Sequence, residues 1–355
     1  MIQKIKLTDF RNFKEKLIEF SPKVTLIIGP NASGKTNILE AINLVASGKS
    51  FRAKIEEEMI SENAEIARVK AKTEEILEVV LTRGEMNLGR EAHLSPKKHL
   101  VRKKLLVNGV NKRLIDFAGR FKTVIFGPWD LGLVTQSPSL RRSFLDAVLS
   151  QSDREYRRSN LSYEKGLRQR NRLLYRIREE GLSRSQLIFW DQLLIKNGDF
   201  ISRKREEFIN FVNQEPNFDN CRFTLVYDKS AISHSRLEQY AAEEVAAATT
   251  LVGPHRDDIQ FKIQNSKFKI ERDLSRFGSR GEQRMAVLWL KLRELEYIER
   301  QTGYKPTLLL DDIFSELDKA HREVVMKVIK HHQTVITTTE LQYVKKFAEV
   351  RKIIL

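Results

Sequence analysis

The sequence predicts a mixed α/β fold that is interrupted by an inserted helical segment. Short apolar runs separated by turn signals fill the first third of the chain. Between residues 139 and 214 the apolar residues instead recur every three or four positions, which is the helical period. Strand-like runs then return between residues 223 and 338. We therefore expect residues 1–135 and 221–355 to form two parts of one α/β lobe, and residues 136–220 to form a helical lobe.

The first element with a chemical signature is the stretch GPNASGKTNIL at residues 29–39. It follows an apolar run, residues 24–28, that predicts a buried strand, and Ile38, Ile42 and Val45 give the next segment one apolar helical face. The spacing matches a phosphate-binding loop, in which backbone amides and a lysine hold phosphate oxygens while a threonine ligates Mg²⁺. The residues expected to hold a nucleotide are Gly29, Pro30, Asn31, Ala32, Ser33, Gly34, Lys35, Thr36 and Asn37. A chance glycine turn is the alternative, and the flanking strand and helix argue against it.

A largely antiparallel patch is predicted after this loop. Apolar runs occur at residues 79–81, 105–107 and 124–126, with turn signals between them. Asn108 and Gly109 directly follow the second run, and an Asn-Gly pair after apolar residues is a strong hairpin signal. The first third of the chain is therefore expected to contain neighbouring strands joined by tight turns.

Two long helices are expected in the inserted segment. Leu167 and Leu174 have helical spacing before Gly181, and Leu187 and Leu194 continue the same period after it. Two helices that join near Gly181 account for this pattern.

The stretch PTLLLDDIFSELD supplies a second half for the phosphate site. Residues 307–310 predict a buried strand that ends in Asp311, where a carboxylate can hold Mg²⁺ through water. Asp312 follows, where a second carboxylate can orient the attacking water. We therefore expect Thr36 and Asp311 to be metal ligands, and Asp312 and Lys35 to be catalytic. An ordinary strand with an acidic turn is the alternative, and the presence of the phosphate loop argues against it.

Upstream of this strand, FGSRGEQRMAVLWLKLRELE pairs a Ser-x-Gly turn with a helix whose apolar residues share one face. A turn that leads into a helix N-terminus suits an anion, but Ser279 and Gly281 by themselves are a weak signal for one. The alternative is a simple helix cap, which Ser and Gly before a helix usually form.

Composition limits the class of protein. Lys and Arg number 63 against 47 for Asp and Glu, and the net charge of +16 favours a polyanionic partner. The single cysteine, Cys221, rules out an internal disulfide and a cysteine-cluster metal site. No apolar run approaches the roughly 18 residues of a membrane span, and the start MIQKIKLTDF lacks the apolar middle of a signal peptide. We therefore expect a soluble, cytoplasmic protein that does not bind membranes.

Basic residues crowd the helical segment. The arginines expected to bind DNA are Arg141, Arg142, Arg168, Arg170, Arg172 and Arg176. Arginine suits phosphate because its planar fork of donors engages two oxygens. The alternative for each arginine is a solvated helix face, paired in part with nearby glutamates. Aromatic residues are sparse in this segment, so contact with the backbone of duplex DNA is favoured over base stacking on single strands.

The stretch VGPHRDDI, residues 252–259, carries no chemistry that its spacing reveals. Gly253 and Pro254 predict a turn, and Asp257 and Asp258 are interpreted as caps or ion-pair partners. A catalytic role for His255 is the less favoured alternative, because no nucleophile or metal set accompanies it.

Four segments resemble, in this order, the nucleotide-binding motifs of the ABC-type ATPase heads in chromosome-maintenance proteins. GPNASGKTN, FGSRGEQR, LLLDDIFSELD and TVITTTE are similar to the Walker A motif, the signature, Walker B with the D-loop, and the final switch segment. A closer resemblance is to the RecF family of bacterial DNA replication and repair proteins. It rests on LTDFRNF, LLVNG, PWDLGLVTQSPSLRRSFLD, RQRNRLL and VGPHRDDI, and it spans residues 1 to about 340.

This resemblance implies a P-loop ABC-type ATPase head with an inserted helical lobe, which binds ATP and Mg²⁺ and closes as a homodimer. Ser279 and Gly281 of one subunit would then contact the γ-phosphate held by Lys35 of the other. The resemblance further implies binding to duplex DNA and to gapped or junction DNA, and a role in recombinational gap repair and the SOS response to DNA damage. Its implied partners are the RecR and RecO mediator proteins, with RecA loading as the outcome.

Three departures from the usual motifs accompany this resemblance. Ala32 replaces the glycine commonest in such loops, Asp312 stands where most ABC enzymes carry glutamate, and residues 337–339 occupy the place of the usual histidine switch. A shorter base without histidine support implies slow hydrolysis. Together with the resemblance, this gives the expectation of a weak, DNA-dependent ATPase.

Three other classes of protein share some of these features. An ABC transporter's ATP-binding subunit has the same motifs but a different helical lobe. The head of a long-armed chromosome-organising protein is disfavoured because Thr36 and Ser279 are too close in sequence for a long coiled coil. A basic scaffold with a decayed nucleotide site is opposed by the intact Lys35, Thr36 and Asp311.

Overall fold

The computed structural model describes residues 1–85, 99–265, 269–339 and 350–355. They form two compact units: unit 1 comprises Met1–Pro128 with Gly303–Leu355, and unit 2 comprises Trp129–Thr302. Among the described helices, none has the length and apolar character that a membrane crossing requires.

Groups of strands are separated by helices along the chain, and the longest helical stretch lies between residues 128 and 213. In chain order the strands are β1 (Lys4–Phe10), β2 (Phe13–Glu19), β3 (Val24–Ile28), β4 (Ile66–Lys72), β5 (Ile76–Glu85), β6 (His99–Val107), β7 (Val110–Lys112), β8 (Thr123–Phe126), β9 (Asn217–Phe218), β10 (Cys221–Asp228), β11 (Asp258–Gln264), β12 (Arg272–Asp273), β13 (Thr307–Asp311), β14 (Thr334–Thr338) and β15 (Val350–Ile354). The helices are α1 (Lys35–Ser47), α2 (Leu114–Phe117), α3 (Gly132–Thr135), α4 (Pro138–Ser152), α5 (Arg154–Glu180), α6 (Ile188–Asn213), α7 (His234–Gln239), α8 (Ala241–Ala247), α9 (Leu274–Phe277), α10 (Arg280–Thr302), α11 (Ile313–Glu316) and α12 (Lys319–Ile329).

Unit 1 places α1 between two sheets. Within the described residues, one sheet has six antiparallel strands in the order β2-β1-β4-β5-β6-β7, and the other has five parallel strands in the order β15-β3-β14-β13-β8. Residues alternate between buried and exposed along β4, whereas β3, β13 and β14 are buried throughout. Fully buried strands are typical of parallel sheets that are covered on both faces. Ile38 and Ile42 of α1 belong to one apolar core with Leu7 of β1, Leu309 of β13 and Val335 of β14.

The predicted antiparallel patch is confirmed for two of its three runs. Residues 79–81 and 105–107 lie in β5 and β6, which pair antiparallel, and Asn108 and Gly109 form the tight turn into β7 with φ of 51° and 81°. Positive φ at both central residues is the geometry of a type I′ hairpin. The third run, residues 124–126, is instead part of the parallel sheet as β8, because it pairs with β13 and not with its sequence neighbours.

Unit 2 combines the helical segment with a four-stranded antiparallel sheet of order β12-β11-β10-β9. The two long helices predicted from the sequence are confirmed as α5 and α6, and α5 ends at Gly181, which has φ of 68°. Asn213, at the end of α6, exchanges two 2.8 Å hydrogen bonds with the backbone of Leu225 in β10. Trp289 of α10 donates to the Glu215 carbonyl at 2.8 Å. These bonds join β10 and α10 to the end of the long helix α6. The division of the chain into three segments, with boundaries after residues 135 and 220, stays a prediction.

Buried ion pairs in unit 2 give the VGPHRDDI stretch a structural role. Asp257 is fully buried and accepts hydrogen bonds from Arg205 of α6 at 2.9 Å and from the Tyr227 hydroxyl of β10. Arg205 also donates to Asp146 of α4 at 2.8 Å and to the Pro254 carbonyl at 2.7 Å. Buried charges are tolerated only when partners satisfy them, so this set of bonds specifies how α4, α6 and β10 meet.

The other polar residues of this stretch are also engaged inside unit 2. The ring nitrogens of His255 lie 2.8 Å from the Tyr163 hydroxyl and 3.0 Å from the Thr250 carbonyl. Burial lowers the pKa of His255 to about 4, so its ring is neutral at pH 7. Asp258 forms a bidentate ion pair with Arg141 at 2.6 and 3.0 Å. The surroundings of His255 favour a packing role over the catalytic alternative, and both aspartates are ion-pair partners.

Replacing Arg205 by Met is expected to destabilise unit 2, because it leaves the buried Asp257 carboxylate without its cation. Breaking one partner of a buried pair costs about 3–5 kcal/mol. Arg203, which is exposed on the same helix, provides the matched control, and Arg203→Met should change the free energy of unfolding by less than about 0.5 kcal/mol. Urea unfolding followed by tryptophan fluorescence measures both variants. Equal midpoints for the two would show that the Arg205 pairs do not hold unit 2 together.

Candidate functional site

The phosphate loop predicted from the sequence connects β3 to α1. Gly34 has φ of 99°, and a Cβ at this position would lie 2.7 Å from the Asn12 side chain, so the loop requires glycine here. Ala32 also has a left-handed φ, 65°, which costs a residue with a side chain roughly 1–2 kcal/mol. This conformation explains why glycine is the commonest residue at the position of Ala32 in similar loops.

Polar groups of the loop converge at the N-terminus of α1. Lys35 Nζ donates to the carbonyls of Gly29 at 2.7 Å and Pro30 at 2.8 Å. An ammonium group has three donors, so one N–H remains for a further acceptor. The Ser33 hydroxyl is buried and has no hydrogen-bond partner among the described residues. A spare ammonium donor, an unsatisfied hydroxyl and the free amides of a helix N-terminus fit an anionic ligand such as a phosphate.

A hydrogen bond joins this loop to the acidic strand. Thr36 Oγ1 donates to Asp311 Oδ2 at 2.7 Å, and Asp311 Oδ1 accepts from the Thr337 hydroxyl at 2.5 Å. The sheet order places β14 between β3 and β13, so these groups gather at the carboxyl ends of neighbouring parallel strands. Hydroxyl and carboxylate oxygens are ligands that Mg²⁺ prefers, and Thr36 and Asp311 therefore fit the expected metal.

The two adjacent aspartates have different surroundings. Asp311 is buried and bonded to both threonines, whereas Asp312 is half-buried and has a left-handed φ of 49°. The Asp312 N–H donates to the carbonyl of Thr337 at 3.2 Å and lies 3.1 Å from its hydroxyl. A strained residue held by its neighbours often marks a functional site. Thr337 belongs to the stretch TVITTTE, whose last residue, Glu340, lies outside the described residues.

Sequence reasoning missed a group of side chains that braces the loop. Arg11, in the turn between β1 and β2, forms a bidentate pair with Glu40 of α1 at 2.7 and 2.9 Å, and Glu40 is fully buried. Asn12 donates to the Ser33 carbonyl at 3.3 Å and accepts from Asn37 at 2.8 Å. The sequence contained one indication of this group, because Glu40 is a lone acidic residue on a helix face that is otherwise apolar.

A cavity of about 560 Å³ opens beside these bracing residues. Its lining includes Arg11, Asn12, Asn37, Arg52 and Ile55. Arg52 donates to Asn37 at 3.0 Å, so the polar wall of the cavity is continuous with the residues that contact the loop. The cavity provides space for a ligand larger than a phosphate group.

Ser279 and Gly281 lie in unit 2, at the start of α10. The Ser279 hydroxyl accepts from the Glu282 N–H at 3.2 Å, and the Ser279 N–H donates to the Glu282 carboxylate at 2.7 Å. This reciprocal pair is a capping box at the start of α10, as the helix-cap alternative proposed. Gly281 is exposed, and a Cβ there would meet no atom closer than 3.9 Å. The phosphate contact expected of Ser279 and Gly281 stays a prediction.

Two of the six arginines expected to bind DNA are buried in ion pairs inside unit 2. Arg141 is buried in its ion pair with Asp258. Arg170 is 1% exposed and pairs with Asp191 at 2.6 Å and Glu244 at 2.7 Å. Because their donors are occupied and shielded from solvent, a DNA-binding role does not fit Arg141 or Arg170.

The other four arginines are at least partly accessible. Arg168 and Arg172 are exposed one turn apart on α5. Arg176 is exposed and pairs with Glu180 at 2.9 Å, and Arg142 is half-buried and donates to the Asp257 carbonyl at 2.8 Å. Their contact with DNA stays a prediction, which fits Arg168 and Arg172 best.

Known proteins are similar to this chain over nearly its whole length. The family model described as RecF/RecN/SMC N terminal domain matches residues 1–355. The DNA replication and repair protein RecF of Herpetosiphon aurantiacus is 35% identical over 371 residues, with 96% of this chain and 93% of that protein covered. RecF of Crocosphaera subtropica is 36% identical over 371 residues, with the same coverage. A solved structure of the recombination mediator protein RecF-ATP in the RecFOR pathway is similar with a TM-score of 0.80 and 33% identity, over 96% of this chain and 92% of that one.

Replacing Gly34 by Ala is expected to weaken binding of a fluorescent nucleoside triphosphate by at least ~10-fold, which corresponds to about 1.4 kcal/mol. The added Cβ would lie 2.7 Å from the side chains of Asn12 and Phe13, so the loop would have to shift. Gly181→Ala is the matched control, because Gly181 also has a left-handed φ, 68°, but nothing lies within 4 Å of an added Cβ. Equal affinities in the two variants would mean that the loop geometry at Gly34 does not determine binding.

Proposed function

This chain belongs to the RecF family of DNA replication and repair proteins, and we propose that it is an ATP-dependent DNA-binding protein of recombinational gap repair. Its fold is that of an α/β ABC-type ATPase head. The observation that carries the proposal is the hydrogen bond from Thr36 to Asp311, because it brings the phosphate loop and the acidic strand into one site.

The residues of unit 1 have separate roles in ATP hydrolysis. Lys35, the Ser33 hydroxyl and the loop amides bind the triphosphate, and the cavity beside Asn12 receives the nucleoside. Thr36 and Asp311 would hold Mg²⁺, which would supply positive charge to the phosphate oxygens. Asp312 orients the attacking water. Hydrolysis is slow because the aspartate side chain is one methylene shorter than glutamate and the switch segment has threonines at 337–339 and no histidine.

ATP closes two copies of the chain as a homodimer. Ser279 and Gly281 of one copy contact the γ-phosphate held by Lys35 of the other, and this contact makes dimerisation depend on ATP. The exposure of Ser279 and Gly281 supports this role, because it leaves both residues accessible to a second copy. Hydrolysis then removes the contact and opens the dimer.

The dimer binds duplex DNA near a gap or junction and assists the mediator proteins RecR and RecO in loading RecA. Support comes from the RecF relatives and from the solved structure of RecF-ATP, a recombination mediator protein in the RecFOR pathway. On this chain, the exposed Arg168 and Arg172 and the net charge of +16 suit a polyanion. An ABC transporter subunit is not favoured, since the similar proteins are DNA replication and repair proteins along 96% of the chain.

Asp312→Asn is expected to bind ATP normally but to hydrolyse it more slowly by a factor of roughly 10² or more, because the amide lacks the charge that activates the water. The ATP-bound dimer on DNA should last correspondingly longer. Asp311→Asn is the contrasting variant, and it should lose nucleotide affinity because Asp311 is bonded to Thr36. Steady-state phosphate release and dimer lifetime by light scattering measure these effects. Undiminished hydrolysis in the Asp312 variant would remove Asp312 from catalysis.

The double substitution Arg168→Gln with Arg172→Gln is expected to weaken binding to all duplex sequences alike. Each lost phosphate contact should lower the slope of log affinity against log salt by about 0.9. Arg203→Gln with Arg222→Gln removes the same charge from other exposed positions of unit 2 and should leave the slope nearly unchanged. Fluorescence anisotropy with a labelled duplex over a salt series provides the slopes. Identical slopes for both double variants would assign the α5 arginines to an ordinary solvated surface.

A further inference from the structure

We propose that the furrow between α5 and α6 binds an acidic amphipathic helix of a partner protein. These two helices pack against each other as the long hairpin of unit 2. One side of the hairpin has an apolar stripe with basic residues at its edges. This side is called the hairpin furrow, and its apolar residues are Leu173, Phe189, Trp190, Leu193 and Phe200. The inference goes beyond the proposed function, because it concerns neither ATP nor DNA.

The apolar stripe on α6 is a helix side that unit 2 leaves uncovered. Phe189, Leu193 and Phe200 stand at positions i, i+4 and i+11, which places them on one side of the helix. Phe189 is 62% exposed, and Leu193 and Phe200 are half-buried. Trp190 is also half-buried and meets Phe189 edge to face, with ring centroids 4.9 Å apart. An apolar helix side that stays accessible to solvent is typical of a surface that another molecule covers.

The side of α5 that meets this stripe is also uncharged at its centre. Gly166 is buried, and a Cβ at this position would lie 2.6 Å from the Leu193 side chain and 3.8 Å from that of Trp190. The absence of a side chain at Gly166 therefore allows the two helices to approach closely. Leu173 lies two turns further along the same side of α5 and is half-buried. Both helices thus contribute apolar residues to the furrow.

The edges of the furrow are basic, and their exposed members are Lys165, Arg172, Arg176 and Lys196. Lys165, Arg172 and Arg176 stand at positions i, i+7 and i+11, so they follow one side of α5. Within the described residues, Lys165, Arg172 and Lys196 form no ion pair, and Arg176 pairs with Glu180 at 2.9 Å. The charge of these edges is therefore largely uncompensated, and it is complementary to an acidic partner.

The shape of the furrow favours a helix as that partner. Packed helices lie ~8–10 Å apart, and the groove between two of them receives the side chains of a third. Helix-in-groove recognition uses apolar anchors at positions i, i+4 and i+7 of the bound helix. The stripe from Phe189 to Phe200 is ~16 Å long, which corresponds to about three turns of a partner helix. Leucine or phenylalanine on one side of that helix would contact the stripe, and glutamates beside them would pair with the basic edges.

Single-stranded nucleic acid is the other ligand that basic and aromatic residues can suggest, because bases stack on aromatic rings. The rings of Phe189 and Trp190 are inclined at 81° to each other, so they cannot both stack on successive parallel bases. Leu173 and Leu193 offer no ring at all. The mixture of aliphatic side chains with an edge-to-face aromatic pair therefore favours the apolar side of a helix.

A model peptide tests the apolar part of the proposal. The probe is a fluorescein-labelled peptide of roughly 16 residues with leucines at i, i+4, i+7 and i+11 and glutamates at most other positions. Phe189→Ser should weaken its binding at least ~10-fold, which corresponds to about 1.4 kcal/mol. Ile188→Ser is the matched control, because Ile188 is 55% exposed on a different side of α6 and should not contribute. Fluorescence anisotropy provides the affinities.

A scrambled peptide of the same composition shows whether the helical arrangement of the leucines matters. The inference is supported if the parent prefers the ordered peptide and only the Phe189 variant loses that preference. It is overturned if the parent does not bind the ordered peptide, binds the scrambled peptide equally well, or loses as much affinity with Ile188→Ser as with Phe189→Ser.

Removing charge from the edges tests the acidic character of the partner. Lys165→Gln with Lys196→Gln should weaken binding of the ordered peptide by ~3-fold or more and make its affinity less dependent on salt. Lys229→Gln with Lys269→Gln removes the same charge from other exposed positions of unit 2 and should bind like the parent. Equal salt dependence in the two double variants would show that the edges do not select an acidic helix.

Two further measurements distinguish the other possible occupants. If oligothymidylate binds in a manner that requires Phe189 and the ordered peptide does not bind, the furrow is a nucleic-acid surface and the inference fails. If light scattering without ATP shows self-association of the parent but not of Phe189→Ser, the furrow is covered by a second copy and the inference also fails. Phe189→Ser should bind ATP and duplex DNA like the parent, so failure of the proposed function would be seen separately in the parent protein.

Discussion

The hydrogen bond from Thr36 to Asp311 is the interaction on which the site in unit 1 depends. Its two residues are 275 positions apart in sequence, and the parallel order β3-β14-β13 is what brings them together. Thr337, at the end of the middle strand, bonds to Asp311 and to the backbone of Asp312. One strand end therefore orients the Asp311 carboxylate and holds the backbone of Asp312. Any change in sheet order would separate the phosphate loop from its acidic partner.

The loop depends equally on contacts from the antiparallel sheet. Glu40 buries a charge inside the apolar face of α1, which is costly unless a cation satisfies it. Arg11 provides that cation from the β1–β2 turn, and its neighbour Asn12 contacts the loop backbone at Ser33. The Arg11–Glu40 ion pair thereby holds α1 against the antiparallel sheet. That sheet contributes neither residue of the Thr36–Asp311 hydrogen bond. This explains why the stretch LTDFRNF, far from the acidic strand, belongs to the same functional unit.

Unit 2 shows how the same residue type serves two purposes. Arg141, Arg170 and Arg205 are buried and fully engaged with carboxylates, whereas Arg168 and Arg172 on α5 are exposed. Arginine suits both uses because its charge persists when buried and its planar group donates hydrogen bonds to several partners. The high arginine content of the helical segment is therefore in part a property of its core.

The sequence by itself determined the phosphate loop, the acidic strand and the two long helices, because each is a local pattern of spacing and period. It also indicated the family, since those patterns occur in a specific order. Local spacing carried no information about partners distant in the chain, so it assigned Arg141 and Arg170 to DNA, placed residues 124–126 in an antiparallel patch and left VGPHRDDI unexplained. Only the tertiary structure decided these points, because burial, strand order and ion pairing arise when segments far apart in sequence pack together.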